Sequence, residues 1–183
     1  MAQWPKSLFL RQVSDTVNQD NDHEKIRQEF QALRDSLKTV QLATIDSDGN
    51  PQASYAPCVW IENDCYLYLS ELARHTQNLI ANPAISLLLI ESEEKSKNLF
   101  SRRRIMLQGE VSTIGRDSNQ FAIIMAEFKS RFGDFIDVIE PLQDFHLFQI
   151  NPQSGRFIRG FAQAYDLVGP GLREFKHIDM QSR

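Results

Sequence analysis

Thr39-Val40-Gln41-Leu42-Ala43-Thr44-Ile45, followed by Asp46-Ser47-Asp48-Gly49-Asn50-Pro51, is the stretch that decides the fold. Val40, Leu42 and Thr44 fall on one side and Gln41, Ala43 and Ile45 on the other, which is the period of a strand. Asp48-Gly49 tolerates positive φ, and Pro51 has no N–H to give a central ladder, so residues 46–51 form a turn. A second strand runs through Ile61, Glu62-Asn63-Asp64 turns the chain again, and Cys65–Leu69 is a third strand. Connections this short join antiparallel neighbours, so the segment is a meander.

On the N-terminal side, Ile26, Phe30, Leu33 and Leu37 recur at four, three and four residues, one face of a helix opened by Asn21 or Asp22. Residues 1–20 lack such a period and are expected to form a loose arm. On the C-terminal side, Ser70 is expected to cap a helix that ends near Ala81 at Asn82-Pro83. Ala84–Ile90 is apolar on both faces, as in a strand covered on each side. Glu91–Phe100 is charged and irregular, with room for a single helical turn, and Arg104–Ile114 alternates again. Asp117 or Ser118 caps a second helix whose Phe121, Ile124, Met125, Phe128 and Phe132 make one stripe ending at Gly133. Two last strands are expected, Phe145–Ile150 and, after a Pro152-Gln153-Ser154-Gly155 turn, Arg156–Leu167; Gly169-Pro170-Gly171 then breaks the chain before a short tail. The sum is an α+β chain, mainly antiparallel β, with inserted and flanking helices. Six or seven strands in a small domain hide their edges by curling into a barrel. One domain is expected over residues 21–178, with the tail at 179–183.

Composition narrows the function classes. A chain of 183 residues can bury about two thirds of its unfolded surface in one core. Its 42% hydrophobic and 24% charged residues are those of a soluble globule. Twenty basic against twenty-four acidic residues give a net charge of −4, which argues against a general nucleic-acid binder. No apolar run reaches membrane-spanning length, and the N-terminal apolar run is too short for a signal peptide. Two cysteines, Cys58 and Cys65, make neither a disulfide framework nor a four-ligand metal site. A cytoplasmic protein that binds neither nucleic acid nor membrane is the expectation.

Three groups could carry chemistry. Ser70-Glu71-Leu72-Ala73-Arg74-His75 is a strand end entering a helix, where unpaired N–H groups, the helix dipole, Arg74 and His75 would form a corner for phosphate or carboxylate. The plain alternative is an ordinary serine cap with a solvated arginine. Arg102-Arg103-Arg104 is the only basic triplet; on a strand Arg102 and Arg104 would point together as a guanidinium pair for an anion, unless the run is a solvated loop end. Asp144 opens the strand that carries His146 on the same face, an acid–base pair or, more simply, a hydrogen-bonded histidine of the core. His23 reads as surface. His177 lies in a tail that could close over a pocket. No P-loop, dinucleotide-binding glycine motif or Gly-x-Ser-x-Gly elbow is present.

Several motifs carry a resemblance. Leu42-Ala43-Thr44 with Gly49-Asn50-Pro51, Ser54-Tyr55-Ala56-Pro57, and Tyr66-Leu67-Tyr68-Leu69-Ser70 followed by Arg74-His75, Asn78-Leu79 and Asn82-Pro83 resemble the pyridoxamine-phosphate-oxidase-like, FMN-binding split barrels. Arg131-Phe132-Gly133, Leu142-Gln143-Asp144-Phe145, Gly160-Phe161, Gln163-Ala164-Tyr165 and Phe175-x-His177 resemble the haem-utilisation (HutZ/HugZ-like) branch, and the likeness covers about residues 36–178. The resemblance implies a split-barrel homodimer with ligand sites between subunits, taking haem or FMN. It implies cofactor-binding roles for Ser70, Arg74, His75, Asn78, Arg103 and Arg104. In the haem branch, oxidative degradation of haem releases iron, a tail His ligates that iron, and an Asp of the partner chain, matching Asp144, orients it. The aligned tail position here is Ser182, so His177 is a retained motif residue rather than the aligned ligand and would reach the iron only if the tail packs differently.

Overall fold

The computed structural model describes residues 22–178, so the arm at 1–20 and the tail at 179–183, Ser182 included, lie outside the described residues. Helix α1 spans 22–36 and buries Ile26 and Leu33 on the expected face. It is followed by β1 (Thr39–Ile45), β2 (Pro51–Ile61), β3 (Asp64–Ser70), α2 (Arg74–Ala81), β4 (Ala84–Ile90) and β5 (Arg104–Ile114). Then come α3 (Asn119–Phe132), α4 (Phe135–Ile139), β6 (Phe145–Gly160), β7 (Gln163–Val168) and β8 (Glu174–His177). The strands form one antiparallel sheet in the order β3-β2-β1-β4-β5-β6-β7-β8, and a further β3–β6 ladder closes the first six into a barrel. No helix among the described residues is long and apolar enough to cross a membrane.

The first hairpin forms as its sequence dictates. Val40, Leu42 and Thr44 are buried while their neighbours face out, and Asp46 Oδ1 accepts from the Asp48 and Asn50 amides at 3.0 and 2.8 Å around Gly49 at φ 85°. Inside the barrel lies one core, with Val40, Leu67, Leu89, Ile105, Phe148 and Phe157 almost fully buried and α1 packed across its open end. A second core joins the outer side of β2, β3 and β6 to α3 through Val59, Tyr66, Tyr68, Phe121, Met125 and Phe128. Each large side chain so buried contributes about 1.5–3 kcal/mol. Ser118 caps α3, accepting from the Phe121 amide at 3.1 Å, and Gly133 ends it at φ 79°.

Three expectations need correction. Ser70 does not cap a helix: α2 starts at Arg74, its N-cap is Ala73, and no side chain caps it. The Pro152-Gln153-Ser154-Gly155 turn does not exist, because β6 runs unbroken to Gly160. The ladder absorbs the proline by shifting register at Gln108/Gly109, where a Cβ on Gly109 would sit 2.1 Å from the Asn151 carbonyl oxygen. The chain reverses instead at Phe161-Ala162, with Ala162 at φ 56°. Finally, Glu174–His177 is not a loose tail but an eighth strand on β7, held by Phe175, which meets Phe30 of α1 edge to face at 5.5 Å.

The split in the barrel comes from β6. Its first half pairs β3 over Cys65–Ser70, its second half pairs β7 over Gln163–Leu167, and the two partners diverge where β6 passes Asn151–Ser154.

Candidate functional site

Antiparallel register sets Ser70, the last residue of β3, opposite Phe145, the first of β6. Ser70 Oγ donates to Asp144 Oδ2 at 2.6 Å and accepts from the Leu72 amide at 3.1 Å. The Glu71 amide donates to the Asp144 carbonyl at 2.8 Å, and the Ala73 amide to the Ser70 carbonyl at 3.0 Å. Several of the amides expected to await an anion are thus already satisfied. A carboxylate of the chain itself occupies the serine hydroxyl.

Asp144 is a turn residue held by a side chain that sequence reasoning missed. Arg116, just past β5, donates to the carbonyls of Glu140 at 2.7 Å and Phe145 at 2.9 Å, to that of Leu142, and to the Tyr68 hydroxyl at 3.1 Å. Its guanidinium also lies 5.5 Å from the centre of the Phe121 ring. A planar five-donor fork can gather several carbonyls at once. The available signal was a lone arginine between a strand end and a helix cap. Burial raises the Tyr68 pKa, so the phenol stays protonated and donates to the Glu140 carbonyl at 3.2 Å.

Asp144 and His146 do not form an acid–base pair. His146, opposite Leu69, places Nε2 2.5 Å from Glu71 Oε1, while Asp144 keeps Ser70. His146 is hydrogen-bonded but only half-buried.

Helix α2 turns His75 and Asn78 toward the hairpin. His75 Nδ1 is 3.0 Å from Ser54 Oγ, and Asn78 Nδ2 donates to Thr44 Oγ1 and Gln52 Oε1, both at 2.9 Å. Together with buried Thr76 and Leu79 they fasten the helix to β1 and β2. Burial lowers the His75 pKa and favours the neutral imidazole. The exposed Arg74 side chain makes no hydrogen bond among the described residues; its charge reaches Asp46, helping the turn's amides hold that carboxyl low.

The basic triplet lies elsewhere. Arg104 pairs with Ile158, near the end of β6 remote from Ser70 and Phe145. Arg103 donates from its backbone and Nε to the two oxygens of buried Glu91, at 2.9 and 2.8 Å. Burial opposes the Glu91 charge, but Arg103 outweighs it and the carboxyl stays below its ordinary range. Arg102 turns onto the Glu91 carbonyl and Glu93, and Arg104 onto the Arg102 carbonyl, so the expected Arg102–Arg104 anion clamp is not formed within one chain. His177, exposed on β8, packs edgewise on Tyr165 at 5.2 Å. Cys58 and Cys65 are free and buried, and no cluster of three potential metal ligands occurs among the described residues.

Comparison with known proteins agrees with this geometry. The family model for pyridoxamine 5'-phosphate oxidase matches residues 26–159. The heme oxygenase HutZ of Vibrio cholerae is 39% identical over 163 residues, covering 89% of this chain and 93% of HutZ. A crystal structure of V. cholerae HutZ, described there as a haem storage protein, superposes with a TM-score of 0.65 at 40% identity, covering 68% of this chain and 88% of that one. Campylobacter jejuni ChuZ superposes at 0.76 with 32% identity, over 85% of this chain and 63% of that one. A split barrel closed by β3 on β6, matched by the family model over most of its length, places the chain in the pyridoxamine 5'-phosphate oxidase family.

Proposed function

We propose that this chain is a haem-utilisation protein: two copies pair, haem is held between them, and its ring is opened oxidatively to release iron. The observation that carries the reading is the 39% identity to HutZ across nearly the full length of both chains. Bound haem would supply the redox-active iron at which oxygen is activated. The chain's own residues bind and orient. Arg74, exposed and without a hydrogen bond among the described residues, suits a propionate carboxylate. Asp144, fixed by Ser70 and by the Arg116 clamp, is set to accept a ring N–H and so fix an imidazole's tautomer and raise its basicity. With Ser182 at the aligned ligand position, His177 is the tail imidazole assigned to the iron. His177 lies beyond the Gly155–Gly160 half of β6 and Asp144 at its other end, so one iron could meet both only if they came from different copies.

The same geometry favours haem over FMN. A flavin phosphate needs the Ser70 hydroxyl as donor, but that hydroxyl is engaged by a carboxylate, and two anions at one donor repel.

Pairing is supported by apolar side chains left exposed at both ends: Leu72 beside Ser70, 91% exposed, and Phe100 and Phe161, 94% and 80% exposed, toward the arginine triplet. Bringing the Arg103–Arg104 end of one copy to the Ser70–Arg74 end of another covers them and gathers cations round one ligand. Free buried cysteines suit a reducing compartment, and the proposed location is the cytoplasm.

A second reading, haem storage without turnover, is favoured by Ser182, which removes the aligned imidazole. Titration of the purified protein with ferric haem, then addition of ascorbate in air, separates the two. Loss of the shifted Soret band with iron release marks degradation, and a persistent band marks storage. Absence of any Soret shift refutes both.

A further inference from the structure

Where β3 and β7 part along β6, a cavity of about 290 Å³ opens under α1. Its walls are apolar, among them Phe30, Trp60, Leu107 and Leu167, and Arg27, Arg34 and Arg173 also line it. It is separate from the Ser70 site. Cys65 lines the cavity and Ser70 ends the same strand, about 17 Å away at the rise of a β-strand.

Arg34 is the informative residue. It is only 7% exposed, and its guanidinium lies 5.3 Å from the centre of the Trp60 ring. Nε is held by Asp35 at 2.7 Å and Nη1 by the Glu62 carbonyl at 2.9 Å, while Nη2 has no hydrogen-bond partner among the described residues. Arg27 meets only a half-exposed Glu24 at 3.5 Å, and Arg173 makes no ion pair among the described residues. A cationic lining in a chain of net charge −4 is a local feature, not a reflection of overall charge.

We propose that this cavity binds a free medium-chain fatty acid, its carboxylate on Arg34 Nη2 and the neighbouring arginines and its alkyl chain between Trp60, Leu107 and Leu167. The volume lies at the small end of ligand cavities, which suits a chain of about ten carbons. Neither the haem reading nor the family match assigns anything to this cavity.

Calorimetric titration of the full-length protein with decanoate, and with decanol as the uncharged control, tests the proposal. Decanoate is expected to bind saturably at one site per chain, and decanol at least tenfold more weakly, since a charge-assisted bond is lost. Gln31, exposed on α1 at the cavity, allows a plug that leaves the core alone: Gln31→Trp should abolish decanoate binding and leave the melting temperature and haem titration unchanged. No saturable binding by decanoate overturns the proposal, whether residues 1–20 or a second copy fills the space. Equal affinity for decanol, or undiminished binding to Gln31→Trp, overturns it as well.

Discussion

Replacing Arg116 by methionine keeps an unbranched apolar stem of about the same length as the arginine's and removes all its donors. Three loop carbonyls and the Tyr68 hydroxyl then lose a charged partner. Each charge-assisted bond is worth about 1.5–3 kcal/mol net, but the four share one guanidinium and exposed Leu142 regains water, so they do not add. A loss of about 2–3 kcal/mol is expected. At 2–4 °C per kcal/mol for a domain this size, the melting temperature should fall by about 4–12 °C. Arg116→Lys keeps the charge but cannot span separate carbonyls, and should recover less than half of the loss. Urea unfolding with an unchanged m-value measures the effect. The ferric haem spectrum supplies the second reading, because freeing the 140–145 segment should displace Asp144 and shift the spectrum, as is expected of Asp144→Asn. A loss below about 0.5 kcal/mol would refute the clamp. A destabilised variant with a wild-type haem spectrum would leave Arg116 no part in positioning Asp144.

Four further outcomes follow from single contacts. Gly109→Ala puts a methyl group 2.1 Å from the Asn151 carbonyl oxygen and 2.8 Å from the Pro152 Cα, so the ladder must move; a loss of about 1–3 kcal/mol in urea is expected, and none would place the bulge elsewhere. His75 has a pKa lowered by burial, so the folded chain binds its proton less readily than the unfolded chain; its contribution is whole above about pH 6.5, declines as pH falls through the folded value, and should vanish from the acid limb of stability in His75→Gln. Arg74→Ala should weaken haem binding by about 10- to 100-fold if a propionate pairs with it, and unchanged affinity would remove it from the site. Phe100→Asp puts a charge on a side chain 94% exposed in one chain; sedimentation should show the proposed dimer dissociating with the monomer's stability kept, and an unaltered assembly would move the interface elsewhere.

What could be read from the amino-acid order was what neighbours in sequence determine. The alternation of Val40, Leu42 and Thr44, the Asp48-Gly49 turn and the Ser118 cap with its Phe stripe are local, and the structure has each where its pattern places it. The errors share an opposite cause. Pro152-Gln153-Ser154-Gly155 has the composition of a turn, yet the missing Cβ of Gly109, more than forty residues earlier, lets β6 continue past it. Glu174–His177 has little strand signal of its own and is held by Phe175 on Phe30 of the first helix.

The site follows the same rule, and there the consequence is chemical. Ser70 by itself is a strand-end hydroxyl followed by cationic side chains, the features of an anion corner. Asp144 by itself is a carboxylate before a strand. Brought to 2.6 Å by the β3–β6 ladder, each changes the other's meaning: the hydroxyl proton is engaged, and the carboxylate is oriented. A phosphate could bind only by displacing Asp144 against the Arg116 clamp on its loop, whereas a propionate can use Arg74 and leave the pair intact. Asp144→Asn therefore discriminates between the cofactors. It should relieve repulsion and improve FMN binding if Ser70 is a phosphate anchor, and should shift the spectrum of bound haem, with little change in haem affinity, if Asp144 orients an imidazole.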